Sequence, residues 1–160
     1  MNLAIEVIDV LRKRNWKLTT AESCTGGMVA VAITDIAGSS DVFERGFVTY
    51  SNLSKAEMLG VVPAIIATHG AVSSQVAKAM AEGALLYSKA QVAVAVTGVA
   101  GPGGGSDEKP VGLVHFAVAA NNALTKHREM KFGNLSREEI RAKARDFALQ
   151  LVLDQLKALP

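Results

Sequence analysis

Cysteine is almost missing from this sequence: Cys24 stands alone among 160 residues. That excludes a disulfide framework and a cysteine-built metal cluster, and it fits a reducing compartment. Charge of one sign is scarce too. Seventeen Lys and Arg face fifteen Asp and Glu, a net charge of +2, spread too evenly for a nucleic-acid binder. The densest basic group, Arg12-Lys13-Arg14, reads as a solvated helix end. No apolar run nears the ~18 residues a membrane span needs. No signal peptide precedes the charged amphipathic opening. The chain is therefore expected in the cytoplasm. His69, His115 and His127 stand apart, with no acidic or cysteine partner at metal-ligand spacing, so no metal is expected. No His-based triad assembles from neighbouring motifs. Internal repeats and linkers are absent, and residues 1–160 read as a single domain.

What is there is apolar patterning that changes period along the chain. Leu3, Val7, Val10 and Leu11 predict a helix over 3–14, stopped at Asn15. A strand is expected over 17–21 and a small-residue helix over 28–36. A loop at 37–41 precedes a second strand at 47–50, entered through Gly46. Short helices follow over 54–59 and from Pro63 to about His69. Ser73 caps a longer helix over 74–87 with Val76, Met80 and Leu85 inward. Residues 92–97 form a continuous apolar run, as for a strand buried on both faces. Strands over 111–119 and 124–132 flank a turn at Asn121-Asn122. A long helix over 136–156 closes the chain, with Ile140, Ala144, Phe147, Leu151 and Val152 inward. Alternating strands and helices imply a three-layer α/β/α sandwich. The hairpin near the end makes the central sheet mixed, though mostly parallel.

Three segments are equipped for chemistry. In Thr20-Ala21-Glu22-Ser23-Cys24-Thr25-Gly26-Gly27 a strand ends, the chain turns and a helix begins. Free backbone N–H groups there make an anion site, to which Ser23 and Thr25 add hydroxyls and Gly26 and Gly27 add close approach. The simpler reading is an N-cap with a glycine-eased turn. Cys24 is expected to pack beneath the loop rather than attack. The second segment runs from Ser39-Ser40 through Gly46-Phe47-Val48-Thr49-Tyr50-Ser51-Asn52 to Lys55. A serine hydroxyl needs a base to take its proton, and a lysine serves if burial or positive charge lowers its pKa. Tyr50 is placed to relay or orient that proton. The third segment is the glycine-rich loop from Thr97 and Gly98 through Ala100-Gly101-Pro102 to Lys109-Pro110-Val111-Gly112. It follows the most buried strand, where ligands of open α/β sheets sit, and it matches neither the Walker A pattern nor GxGxxG.

Together, in this order and spacing, the three segments resemble the signature blocks of the CinA C-terminal family, and the resemblance covers essentially the whole chain. It implies a mixed α/β/α sheet, a homo-oligomer (a dimer or larger), and no cofactor or metal. It implies a serine amidohydrolase with a Ser/Lys dyad that deamidates nicotinamide mononucleotide to nicotinate mononucleotide and ammonia. The alternative the family's naming carries is a non-catalytic nucleotide-binding module linked to competence or damage response. By motif, Lys55 is the general base with Tyr50 nearby. Ser40 and Ser23 compete as nucleophile; Ser40 is preferred because it leaves Ser23 to hold the oxyanion. Thr97, Gly98 and Gly101 face the substrate, as do Thr25, Gly26 and Gly27. The family usually shows Gly-Asp-Arg before the last helix, whereas here Gly133-Asn134-Leu135-Ser136-Arg137 stands. Arg137 is the residue expected to grip the phosphate, with Arg141 as the other candidate.

Overall fold

A computed structural model describes residues 2–160. Its elements run α1 (Leu3–Arg14), β1 (Leu18–Glu22), α2 (Met28–Thr34), a 3-10 turn (Ser39–Asp41), β2 (Phe43–Val48), α3 (Asn52–Leu59), α4 (Pro63–His69), α5 (Ser74–Leu86), β3 (Val92–Gly98), β4 (Leu113–Ala120), β5 (Lys126–Lys131) and α6 (Arg137–Ala158). The strands form one sheet in the order β2-β1-β3-β4-β5. β1 pairs in parallel with β2 and β3, while β3–β4 and β4–β5 are antiparallel. Four strands therefore run one way and only β4 runs against them. This is the expected mixed sheet, although half of its pairings are antiparallel.

The two faces of the sheet are written in the alternation of the central strands. Val92, Val94 and Val96 of β3, with Val114, Phe116 and Val118 of β4, pack into one core with α1, α2 and α6. Ala93 and Ala95, with Ala117 and Ala119, pack into the other with α3, α4 and α5. Successive strand residues face opposite ways, so this composition gives one bulky face and one thin one. Burying a side chain such as Phe116 contributes about 1.5–3 kcal/mol. The alanine face lets α5 lie close on the sheet. Gly83 continues that closeness to α3: a Cβ there would sit 2.0 Å from the Leu59 carbonyl oxygen.

Helix ends follow their capping residues. Asn15 closes α1 in the left-handed region at φ 55°. Ser73 caps α5 through the Val76 N–H. Ser136 and Glu139 form a reciprocal capping box at the start of α6. The largest departure from the sequence reading is β2, which begins at Phe43, four residues before the expected start. It is the edge strand, and only Phe47 within it is buried, so the alternation that marks a half-buried strand is missing. β5 is shorter than expected because Leu124, 90% exposed, belongs to the turn. Among the described residues no helix is long and apolar enough to cross a membrane.

Candidate active site

The parallel strands β1, β2 and β3 end together at Glu22, Val48 and Gly98. A cleft of about 280 Å³ opens there, lined by Ser23, Cys24, Tyr50, Lys55, the 97–104 loop and Arg137. The mouth of the strand ends is where an open sheet of this type leaves room for a ligand. Larger hollows of about 650 and 550 Å³ lie elsewhere on the surface. Neither contains the Ser23–Lys55 pair.

Lys55 is the largest fully buried side chain of the protein, 1% exposed. It occupies the first turn of α3, whose N-cap is Ser51. Helical side chains lean toward the N-terminus, so its amine reaches back past the cap. Nζ donates to the carbonyls of Thr49 at 2.9 Å and Tyr50 at 3.2 Å, and lies 3.0 Å from Ser23 Oγ. No carboxylate pairs with it among the described residues. Burial therefore lowers its pKa below the ordinary lysine value; a Cys24 thiolate would oppose this. But Cys24 is itself buried, its pKa raised to about 11 chiefly by desolvation, and stays a neutral thiol. The positive end of the α3 dipole disfavours the ammonium further. A neutral amine has two N–H groups and one lone pair. Two carbonyls take the N–H groups, and the lone pair remains for the Ser23 hydroxyl.

Ser23 stands directly after β1. Its N–H donates to Val96 O at 2.9 Å, and its carbonyl accepts the Gly26 N–H at 3.0 Å, closing a tight turn. Beneath the turn lies Glu22, 1% exposed. Its carboxyl accepts from Thr25 Oγ1 at 2.6 Å and from the Val29 and Ala30 N–H groups at 2.9 and 3.1 Å. An acidic group at a helix start is favoured by the helix dipole, and it spaces the turn from α2. From the other side, Arg141 of α6 donates to Cys24 O at 3.0 Å and Thr25 O at 3.3 Å.

Several expected site residues are placed differently. Ser40 is exposed in the 3-10 turn before β2, at the end of the sheet where Leu18 pairs Phe43. A six-residue strand at ~3.3 Å per residue puts it about 20 Å from Lys55, and the Arg12 contacts to Gly38 and Asp41 hold its turn there. It does not reach the amine. Tyr50 offers Lys55 its backbone carbonyl, while its hydroxyl accepts from Arg137 at 2.7 Å; the phenol lies on no proton path between Lys55 and Ser23. The Thr25 hydroxyl is committed to Glu22. Gly26 and Gly27, at φ 56° and 107°, line the 650 Å³ groove between α1, α2 and α6 instead of the cleft. Thr97, Gly98 and Gly101 do line the cleft, although the Thr97 hydroxyl is tied to Ala71 O at 2.9 Å.

Arg137 crosses the cleft mouth, donating to Gly101 O at 2.8 Å and to the Tyr50 hydroxyl. Arg141 is turned away to the Ser23 turn. The histidines are not all isolated: His115 Nδ1 and His127 Nε2 meet at 2.8 Å across β4 and β5. Burial lowers the pKa of both, with His127 adding to the shift of His115 and Lys78 to that of His127. Among the described residues no three His, Cys, Asp or Glu side chains gather as metal ligands. Sequence reasoning missed Glu22 and Arg141 as supports of the turn. Glu22 was legible as an acidic residue ending a strand just before a helix start; Arg141 gave no local signal.

Known proteins resemble this chain in sequence and fold over nearly its whole length. A nicotinamide-nucleotide amidohydrolase, PncC, of Escherichia coli K12 is 52% identical over 156 residues, covering 97% of this chain and 93% of its own. Its namesake in Enterobacter agglomerans is 50% identical over 151 residues, covering 94% and 92%. The crystal structure of the competence/damage inducible protein CihA from Agrobacterium tumefaciens superposes with a TM-score of 0.94 at 53% identity, covering 97% of this chain and 93% of that one. The family model for the CinA C-terminal domain matches residues 1–156. Fold and sequence thus agree along nearly the whole length, and the chain belongs to the CinA C-terminal domain family.

Proposed function

We propose that this protein is a nicotinamide-nucleotide amidohydrolase: it hydrolyses the carboxamide of nicotinamide mononucleotide to nicotinate mononucleotide and ammonia, with Ser23 as nucleophile and Lys55 as general base. The observation that carries the reading is the buried amine of Lys55, 3.0 Å from Ser23 Oγ and without a carboxylate to hold it charged. The relatives named as PncC support the substrate. The position of Ser40 at the opposite end of β2 supports Ser23 over it as nucleophile.

In this reading the Ser23 Oγ–H proton passes to the Lys55 lone pair as Oγ bonds to the carboxamide carbon. The carbonyl oxygen becomes an oxyanion held by backbone N–H donors at the cleft beside Ser23. Lys55 returns the proton to the leaving nitrogen, the C–N bond breaks, and ammonia departs. Water then gives a proton to Lys55 and its hydroxyl to the acyl carbon. The Ser23 ester opens, Oγ recovers its proton from Lys55, and the carboxylic acid product is left, which gives its proton to water or to the released ammonia and leaves as nicotinate mononucleotide. The pyridinium charge of the substrate, brought near Lys55, keeps the amine neutral by like-charge repulsion. Arg137 sits at the cleft mouth with spare donors for the phosphate, matched to its geometry. The reading carries a cytoplasmic location and a homo-oligomer. The unpaired Cys24 supports the first, and the exposed Val48, Leu53 and Met58 on β2 and α3 the second. The test is direct. Purified protein incubated with nicotinamide mononucleotide releases stoichiometric ammonia and nicotinate mononucleotide; nucleotide binding with no ammonia overturns the assignment.

A further inference from the structure

The glycine-rich loop between β3 and β4 is tied near both of its ends to one short stretch of chain. Where it leaves β3, the Thr97 hydroxyl donates to Ala71 O at 2.9 Å. Where it returns toward β4, Lys109 Nζ donates to His69 O. Between these, the Gly70 carbonyl accepts from Ser73 Oγ at 2.8 Å. Three consecutive carbonyls at the end of α4 are thus each taken by a side chain. The stretch and the loop are both walls of the Ser23–Lys55 cleft: Ala71 and Val72 line it, and so do Gly98, Gly101, Gly103 and Gly104.

Lys109 suits its contact. A lysine over the last carbonyls of a helix meets a hydrogen-bond acceptor and the negative end of the dipole together. Among the described residues no carboxylate pairs with its amine, although Asp107 and Glu108 adjoin it in the chain. Its backbone is set by a reciprocal pair. The Lys109 N–H donates to Ser106 Oγ at 3.0 Å, and the Ser106 N–H donates to Lys109 O at 2.9 Å. The amine comes down over Gly70, where a Cβ would stand 2.5 Å from Nζ.

The loop needs such a tie because it has open space on either side. Gly103 and Gly104 line both the cleft and the hollow of about 550 Å³ that Lys131 and Asn134 also border. A Cβ at either glycine would meet no atom within 4 Å. This part of the wall is bare backbone, of the residue type that loses most freedom on ordering. Arg137 holds its first part through Gly101 O at 2.8 Å. Lys109 holds its last part, and does not itself line the cleft.

We infer that Lys109 is a positioning residue: by fastening the glycine-rich loop to the end of α4 it keeps that wall of the cleft in place for the nucleotide. This rests on the amidohydrolase reading above for its substrate, and assigns Lys109 no contact with that substrate. A cleft whose wall is in place for only part of the time binds more weakly by that fraction. The effect therefore falls on KM and leaves the Ser23–Lys55 chemistry alone.

The experiment compares wild type with Lys109→Ala and Lys109→Arg. In Lys109→Ala, KM for nicotinamide mononucleotide is expected to rise roughly tenfold, the worth of one hydrogen bond to a charged group, with kcat within about twofold. The Kd for nicotinate mononucleotide, measured by calorimetry, rises by the same factor. Hydrogen exchange of the 103–108 amides quickens, a readout that needs no turnover. Lys109→Arg, which keeps a charged donor, recovers most of the binding and of the protection. A raised KM with unchanged loop exchange makes Lys109 a direct ligand of the nucleotide and overturns the inference. Quickened exchange with unchanged KM and Kd also overturns it, because the tie is then merely structural. So does a fall in kcat at constant KM. If wild type binds nicotinate mononucleotide but releases no ammonia, the amidohydrolase reading fails, while the calorimetry and exchange still decide the role of Lys109.

Discussion

Ser23 and Lys55 are 32 positions apart in the chain and 3.0 Å apart in space. Strand order produces the meeting. β1 lies beside β2 in parallel, so the residues after both strands emerge at the same end. α3 starts four residues after β2 and turns its first helical turn back over that end. A serine following one strand and a lysine following its neighbour then face each other without any long loop to order.

The pair makes the two serines easy to separate. In the proposed mechanism Ser23→Ala removes the nucleophile, and kcat for ammonia release is expected to fall on the order of 10³-fold or more. Ser40→Ala alters an exposed hydroxyl at the far end of β2 and leaves kcat within about twofold and stability within about 0.5 kcal/mol. Trapping with a serine-directed fluorophosphonate labels wild type and Ser40→Ala alike. Labelling that survives in Ser23→Ala and vanishes in Ser40→Ala would reverse the assignment.

Much of this was readable beforehand, for identifiable reasons. The β3 run over 92–97 announced a strand covered on both sides because every residue in it is apolar or small, and all six are buried. α5 and α6 showed helical spacing and carry side-chain caps at Ser73 and Ser136. β2 hid its start because an edge strand needs no alternation. The choice between Ser40 and Ser23 also stayed hidden, since both precede Lys55 in the chain and only strand direction says which end of the sheet each occupies. One clue lay in α3 itself. Lys55 and Leu59 are four apart and share its inward face, both buried, so the lysine occupies a core position of a short helix.

That core lysine links activity to stability in a specific way. Lys55→Met keeps length and shape while removing a polar group from a buried site. Kcat is expected to fall by about 10²–10⁴ with the base gone. The melting temperature stays level or rises, because a buried cation without a counter-charge costs stability. Thermal unfolding beside the ammonia assay checks both. A large drop in melting temperature would mean the Lys55 hydrogen bonds stabilise more than the burial costs.

The same group sets the pH response. Burial places the folded pKa of Lys55 below the ordinary value of 10.5, and in the proposed mechanism the amine must be neutral to act. Kcat/KM therefore rises with pH as Lys55 loses its proton, and that limb disappears in Lys55→Met. For stability the sign is opposite to that of a salt-bridged lysine. Between the folded pKa and 10.5 the unfolded chain binds more protons than the native one, so wild-type stability rises with pH across that window. Below the window the penalty is present in full; above 10.5 it is gone. The gap between Lys55→Met and wild type is expected to close as pH climbs through it. Denaturant titrations at several pH values measure the gap, and one that stays constant rules out a depressed Lys55.

Gly83 tests how the lysine is held. A Cβ there would meet the Leu59 carbonyl at 2.0 Å, with Leu59 Cα at 3.2 Å, and backbone cannot yield as a side-chain tip can. Gly83→Ala forces α3 off α5. The expected cost is about 1–3 kcal/mol, as for other overpacked sites. Because α3 carries Lys55, kcat should fall too, although Gly83 is not among the residues lining the cleft. Unfolding curves and kinetics on the same preparation decide it; full activity at reduced stability would mean the helix shift does not reach the amine.

Arg137 gives the matching test for substrate rather than chemistry. It is the first residue of α6, exposed, and its guanidinium already spends two donors on Gly101 O and the Tyr50 hydroxyl. Five N–H donors are available in all, so three remain for a phosphate while the first two keep the fork across the cleft mouth. Arg137→Gln removes the charge and is expected to raise KM for nicotinamide mononucleotide by roughly ten- to a hundredfold, the worth of hydrogen bonds to a charged group, with kcat little changed. Tyr50→Phe frees one side of the fork and should raise KM only a few-fold. Inhibition by ribose 5-phosphate weakens in parallel with KM in both variants. If KM holds while kcat drops in Arg137→Gln, the residue acts on the Ser23–Lys55 chemistry, and the phosphate must be bound by another cation.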